Sequence, residues 1–163
     1  MQREPRILLV EDEAPKRHHI ETLLKDLTPS ARILFARSVN SALDVLETGA
    51  IDLLILDMSL PTFDVGERER GGRPQGFGGT EVLRNMAMSE IECPTVVITG
   101  YEGFLREGGS TVDLAQLRTE LMDEFPKVLR AVLHYNSTFD EWKTVLSVTL
   151  VETGLTGDPK CES

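Results

Sequence analysis

Short apolar runs that end in acid alternate along this chain with stretches whose apolar residues recur every three or four positions. Ile7, Leu8, Leu9 and Val10 lead into Glu11 and Asp12, and Leu53, Leu54, Ile55 and Leu56 lead into Asp57. A continuous apolar run of this length reads as a strand buried on both faces, as in a parallel sheet. After the first run, Pro15 suits the first turn of a helix, and Ile20, Leu23, Leu24 and Leu27 form its apolar stripe until Pro29 ends it. A second strand is predicted over 31–36. Ser38 or Asn40 can cap a second helix, with Ala42, Val45 and Leu46 inward and Gly49 as its stop. The third strand is predicted over 51–57.

Two breaks interrupt the alternation that follows. Residues 62–79 hold six glycines, Pro74 and mixed charges, a composition that fits no regular element. A helix resumes near Thr80 with Val82, Leu83 and Met86 apolar, and residues 94–99 form a fourth strand ending in Thr99. A second glycine-containing break lies at about 100–110. A helical pattern then runs from Val112 to Phe125, and a fifth strand from Val128 to His134. Ser137 or Thr138 can cap a last helix, with Trp142, Val145, Leu146 and Thr149 on one face, ending near residue 152. Five βα units predict an α/β protein, a parallel sheet with helices on both faces joined by right-handed crossovers. The expected division is one domain over 1–152, with insertions at about 62–79 and 100–110, and a short tail over 153–163.

Charge and cysteine count narrow the function classes. The 163 residues include 27 acidic and 17 basic ones, a formal net charge of −10, which argues against nucleic-acid binding through a broad basic face. Cys93 and Cys161 are the only cysteines, which excludes a Cys-rich metal site and argues against a disulfide framework. Glu11, Asp12 and Glu13 interrupt the first apolar run, unlike a signal peptide. No run approaches the ~20 apolar residues needed to span a bilayer. The expectation is a cytoplasmic protein with no membrane partner, and no room for a separate DNA-binding output domain.

The candidate chemistry lies at the strand ends. Carboxylates there sit where open α/β sheets bind ligands. Glu11, Asp12 and Asp57 repel one another unless a cation neutralises them or one takes up a proton. Such a cluster of oxygen ligands suits Mg2+. His18 and His19 show no paired ligand spacing and read as surface residues. His134 and Tyr135 alternate, so one of them faces the core or a helix. The 62–79 segment departs just after Asp57 and reads equally as a lid or as a plain insertion.

In order and spacing together, Leu8-Leu9-Val10-Glu11-Asp12-Glu13, Asp57-Met58-Ser59-Leu60-Pro61, the run from Gly79 to Arg84, and Thr99 resemble the receiver domain of bacterial two-component response regulators. The resemblance covers residues 5–152. It implies a flavodoxin-like (βα)5 fold, a doubly wound parallel sheet of strand order 2-1-3-4-5 in a three-layer αβα arrangement. It also implies that Asp57 accepts a phosphoryl group from a sensor histidine kinase, a phosphotransfer protein or a small phosphodonor. Mg2+ would be held by Glu11, Asp12, Asp57 and the backbone carbonyl of Ser59, and the Thr99 hydroxyl would contact the phosphate. Such a domain is not an enzyme. It would signal by contact with a downstream protein or a second copy of the chain, without binding DNA directly.

The chain departs from the family at the end of the fifth strand. The family has a lysine there, followed by proline; Tyr135 stands at that position, and Val132 stands where the family has its switch aromatic. A tyrosine donates a hydrogen bond but carries no positive charge. The pocket is therefore expected to keep three acids and lose one compensating cation. Two other functions compete. A degenerate receiver acting as an interaction scaffold is favoured by the missing lysine and opposed by the retained Glu11, Asp12 and Asp57. A phosphatase that forms an aspartyl-phosphate, of the haloacid-dehalogenase kind, is opposed by Asp57-Met58-Ser59, which lacks that group's second acid.

Overall fold

The computed structural model describes residues 4–61, 63, 78–100, 103–105, 111–136 and 140–155. In chain order the elements are β1 (Arg6–Val10), α1 (Ala14–Leu27), β2 (Arg32–Ala36), α2 (Val39–Leu46), β3 (Leu53–Leu56), α3 (Gly78–Met88), β4 (Thr95–Thr99), β5 (Gly103–Leu105), β6 (Thr111–Asp113), α4 (Leu114–Glu124), β7 (Leu129–His134) and α5 (Glu141–Glu152). Five strands form one sheet in the order β2-β1-β3-β4-β7, all pairs parallel. Numbered within that sheet alone, this is the expected 2-1-3-4-5 order of a doubly wound fold. Val10 stands beside Ala36 and Leu56, Leu56 beside Val97, and Val97 beside Val132.

Period-two alternation along the strands sorts the core into two halves. Ile7, Leu9, Leu53, Ile55, Val96 and Ile98 pack against Ile20 and Leu24 of α1 and against Trp142, Leu146 and Leu150 of α5. Leu8, Val10, Leu54, Leu56 and Val97 face the other way, toward α2, α3 and α4. Burial on both faces is why β1, β3 and β4 read as unbroken apolar runs.

Several boundaries follow the sequence, and others do not. Ser38, not Asn40, caps α2: its hydroxyl accepts the Ser41 N–H at 3.1 Å, and the Ser41 hydroxyl accepts the Ser38 N–H at 3.1 Å. Gly49, at φ +74°, follows the end of α2 in the left-handed region that favours glycine. The helix expected from Val112 begins at Leu114 with Asp113 as its cap, because residues 111–113 pair antiparallel with β5 as β6. The partner strand β5 lies in the stretch read as an irregular break, where composition gives no sign of it. Ser137 and Thr138 lie outside the described residues, and Asp140 stands at the N-terminus of α5 without a side-chain capping bond. On α5, Trp142, Leu146 and Thr149 are buried as expected, but Val145 is 42% exposed.

α3 starts two residues before Thr80. The Gly79 N–H donates to the Met58 carbonyl at 3.0 Å, and a Cβ on Gly79 would stand 2.5 Å from the Asp57 backbone oxygen. Only glycine permits so close an approach of the helix to the segment carrying Asp57. Whether 62–79 is a lid or an insertion falls on residues that lie, apart from 63, 78 and 79, outside the described ones. Residue 155 is tied back to α1, since the Thr28 hydroxyl donates to the Leu155 carbonyl at 3.2 Å.

Candidate functional site

The alternation that places Ile7 and Leu9 under α1 carries Glu11 to the same side, and Leu53 and Ile55 are followed in phase by Asp57. Both acids are buried, Glu11 at 1% and Asp57 at 5% exposure. α1 inserts Lys16 between them. Its Nζ lies 2.6 Å from Glu11 Oε2, 3.0 Å from Asp57 Oδ1 and 2.8 Å from the Ile98 carbonyl oxygen. An ammonium has three N–H donors, and here three acceptors meet it. One side chain thus ties together the ends of β1, β3 and β4.

The sequence reading missed Lys16, although a signal for it exists. Lys16, Ile20 and Leu24 recur at four-residue spacing and are all buried on α1. A lysine on the buried stripe of a helix, facing strands that end in acid, must find anions there, because an unpaired buried charge is prohibitively costly. The expected shortage of positive charge is therefore overturned: the cation comes from the first helix, not from the fifth strand of the main sheet.

Tyr135 stands at the end of the main sheet's fifth strand, the position that the sequence gives it, and its partners there are neutral. Its backbone N–H donates to the Thr99 carbonyl at 2.8 Å, which sets it at the end of β7 beside β4. Its hydroxyl is 2.9 Å from His19 Nδ1, and its ring centroid is 5.3 Å from that of Trp142. Lys16 Nζ is 5.8 Å from the Tyr135 ring centroid. Burial raises the Tyr135 phenol above its ordinary value, and the nearby Lys16 charge opposes this. His18 is exposed as expected, but His19 is half-buried, edge-on to both Tyr135 and Trp142. His134 lines a groove of about 530 Å³ with Arg118, Asn136 and Trp142, and neither Glu11 nor Asp57 is part of it.

The acid oxygens are unequally engaged. Asp57 Oδ1 accepts both Lys16 and the Met58 N–H, the latter at 2.9 Å, while Oδ2 takes neither. Glu11 uses both oxygens, Oε2 for Lys16 and Oε1 for the Glu13 N–H at 3.1 Å. Burial, and then the negative charge of Asp57, raise the Glu11 carboxyl to about 7, against the pull of Lys16 and the Glu13 N–H. For Lys16, burial disfavours the charge, but Asp57 and Glu11 outweigh it and raise its pKa above the ordinary lysine value. Asp12 lies at the rim: its carboxylate is 37% exposed and 3.8 Å from Arg37. Thr99 is fully buried at the end of β4, and Ser59 is half-buried just past Asp57.

Among the described residues, no three His, Cys, Asp or Glu side chains cluster closely enough to cage a metal ion. Mg2+ does not require a cage; it is commonly held through one or two carboxylates and keeps several waters. Asp12, the Asp57 carboxylate and the Ser59 carbonyl are donors of that kind. Glu11, whose oxygens each accept one bond and keep a further lone pair, can meet the metal directly or through water.

No family model matches the chain. The Detocs response regulatory protein DtcB of Enterobacter cloacae is 25% identical over 149 residues, covering 90% of this chain and 99% of that protein. A signal receiver domain from Vibrio parahaemolyticus matches with a TM-score of 0.64 at 22% identity, over 93% of this chain and 94% of that one. The chain has the receiver fold of response regulators. The response regulator TrrA of Thermotoga maritima, solved in complex with Mg2+ and BeF, is also similar, with a TM-score of 0.58 at 22% identity over 88% of this chain and 97% of that one. In this chain Glu11 and Asp57 stand at the ends of β1 and β3, and the cation reaches them from α1. Among the described residues, no helix is long and apolar enough to cross a membrane.

Proposed function

We propose that this receiver accepts a phosphoryl group on Asp57 in a Mg2+-dependent phosphorelay and signals through protein contact. The observation that carries this reading is Asp57 itself, a buried carboxylate at the end of a central parallel strand with one oxygen held and the other taking neither of those two bonds. Holding Oδ1 orients the group, so Oδ2 is the nucleophile. It bonds to phosphorus as the donor's P–N bond (from a phosphohistidine) or P–O bond (from a small acyl phosphate) breaks. The electron pair leaves with the donor. Asp12, Asp57 and the Ser59 carbonyl would hold Mg2+, which neutralises charge between carboxylate and phosphoryl oxygens. The Thr99 hydroxyl, one strand away on β4, donates to a phosphoryl oxygen in this reading.

A sensor histidine kinase or phosphotransfer protein supplies the phosphoryl group, and a downstream protein reads the result in the cytoplasm. The naming of the Enterobacter relative as a response regulatory protein supports this role. The chain acts by contact rather than by turnover, and its net charge of −10 opposes direct DNA binding.

Mass spectrometry after incubation with a small acyl phosphate and Mg2+ tests the proposal. One hydroxylamine-sensitive phosphate is expected on the wild type and none on Asp57→Asn. Phosphate retained by the variant would move the acceptor elsewhere. A second reading, a scaffold that does not cycle phosphate, is favoured by the close pairing of Asp57 with Lys16. Absence of label on the wild type with every donor would select it.

A further inference from the structure

We infer that Lys16 is the cation of the acceptor site, and that α1 rather than β7 carries the site's change of charge to the outer surface. The second half of this inference rests on the phosphoryl-acceptor reading; the first does not.

Among the described residues, Lys16 is the cation within ion-pair distance of both Glu11 and Asp57. Its third bond, to the Ile98 carbonyl, fixes the ammonium against the end of β4. With Glu11 and Asp57 both ionised, the two buried carboxylates and one ammonium leave one net negative charge at rest. Transfer converts the Asp57 carboxylate into an acyl phosphate, and its charge moves outward onto the phosphoryl oxygens. An ammonium held chiefly by that charge moves with it. Lys16 is the third residue of α1, so the displacement acts on the first turn of that helix.

The next turn is already connected to the opposite end of the face. His19 follows Lys16 by three residues and shares its side of the helix. It meets the Tyr135 hydroxyl at 2.9 Å and stands edge-on to Trp142 of α5, with centroids 5.2 Å apart. Movement of the first turn of α1 therefore presses on Tyr135, just past β7, and on Trp142 of α5.

The experiment keeps the two halves, and the phosphoryl reading, apart. Mg2+ alone is titrated calorimetrically into the wild type, Lys16→Gln and Lys16→Gln/Tyr135→Lys. Removing the ammonium leaves the acids uncompensated, so Lys16→Gln should bind Mg2+ about tenfold more tightly. Tyr135→Lys in the same chain brings a cation from beside the lost one and should return the affinity toward that of the wild type. Equal affinity in wild type and Lys16→Gln, or binding to neither, overturns the assignment of Lys16 whether or not phosphate is ever taken up. Phosphate uptake from a small acyl phosphate should fall about tenfold in Lys16→Gln and recover in the double variant. Unchanged uptake in Lys16→Gln overturns the assignment while leaving Asp57 as acceptor.

The α1 half uses the wild type alone, so it survives a variant that fails to fold. Amide hydrogen exchange over residues 14–20 and emission from Trp142, the single tryptophan, are followed as Mg2+ and beryllofluoride are added. Both should change as the site saturates. Saturation without change in either overturns α1 as the carrier. Failure of beryllofluoride to bind overturns it together with the phosphoryl reading, and leaves the Mg2+ comparison to decide Lys16.

Discussion

At the ends of β1 and β3, Glu11 and Asp57 are buried and locked to Lys16. At the end of β7, Tyr135 is half-buried, neutral and bonded to His19. Both ends face α1, and the helix treats them differently: it delivers a charge to one and an imidazole to the other. The contrast teaches that this site needs a cation at a point in space rather than at a place in the chain. A lysine ammonium on a flexible four-carbon stem can reach such a point from any element that lines it. Once the charge arrives from α1, the end of β7 is free to carry an aromatic residue, and Tyr135 joins Trp142 in packing between sheet and helices.

The contrast predicts unequal costs. Lys16→Gln strands two buried carboxylates and should lower unfolding free energy by about 3–5 kcal/mol, read by urea denaturation. A loss below about 1 kcal/mol would mean that the acids are hydrated rather than locked, and the two strand ends would then be alike. Tyr135→Phe removes one half-buried hydrogen bond and should cost about 1 kcal/mol. The same variant should leave Mg2+ affinity unchanged by calorimetry; a large shift there would tie β7 directly to the acids. Arg37→Ala cuts a long pair between two partly exposed groups at the rim, and should change stability by no more than about 0.5 kcal/mol. Its Mg2+ affinity should rise slightly, because Asp12 loses a competing cation. A stability loss as large as that of Lys16→Gln would place Asp12 among the locked acids instead.

The elements that sequence determined by itself are those written in contiguous residues. Apolar runs at 7–10 and 53–56 set buried parallel strands, the Ile20 and Leu24 spacing set α1, and Ser38 set the start of α2. Local period and local capping bonds need no distant partner, so they are legible without one. The acids at the strand ends were legible for the same reason. Tertiary structure alone decided what meets what. Lys16 joins Asp57 across 41 positions and Ile98 across 82, and no local rule links residues so far apart. The β5–β6 pairing, the entry of Gly79 against Asp57 and the outward turn of Val145 depend likewise on where other elements come to rest. A lysine in a helical stripe states only that it will be buried; which anions receive it is settled when the sheet brings β1, β3 and β4 side by side beneath α1.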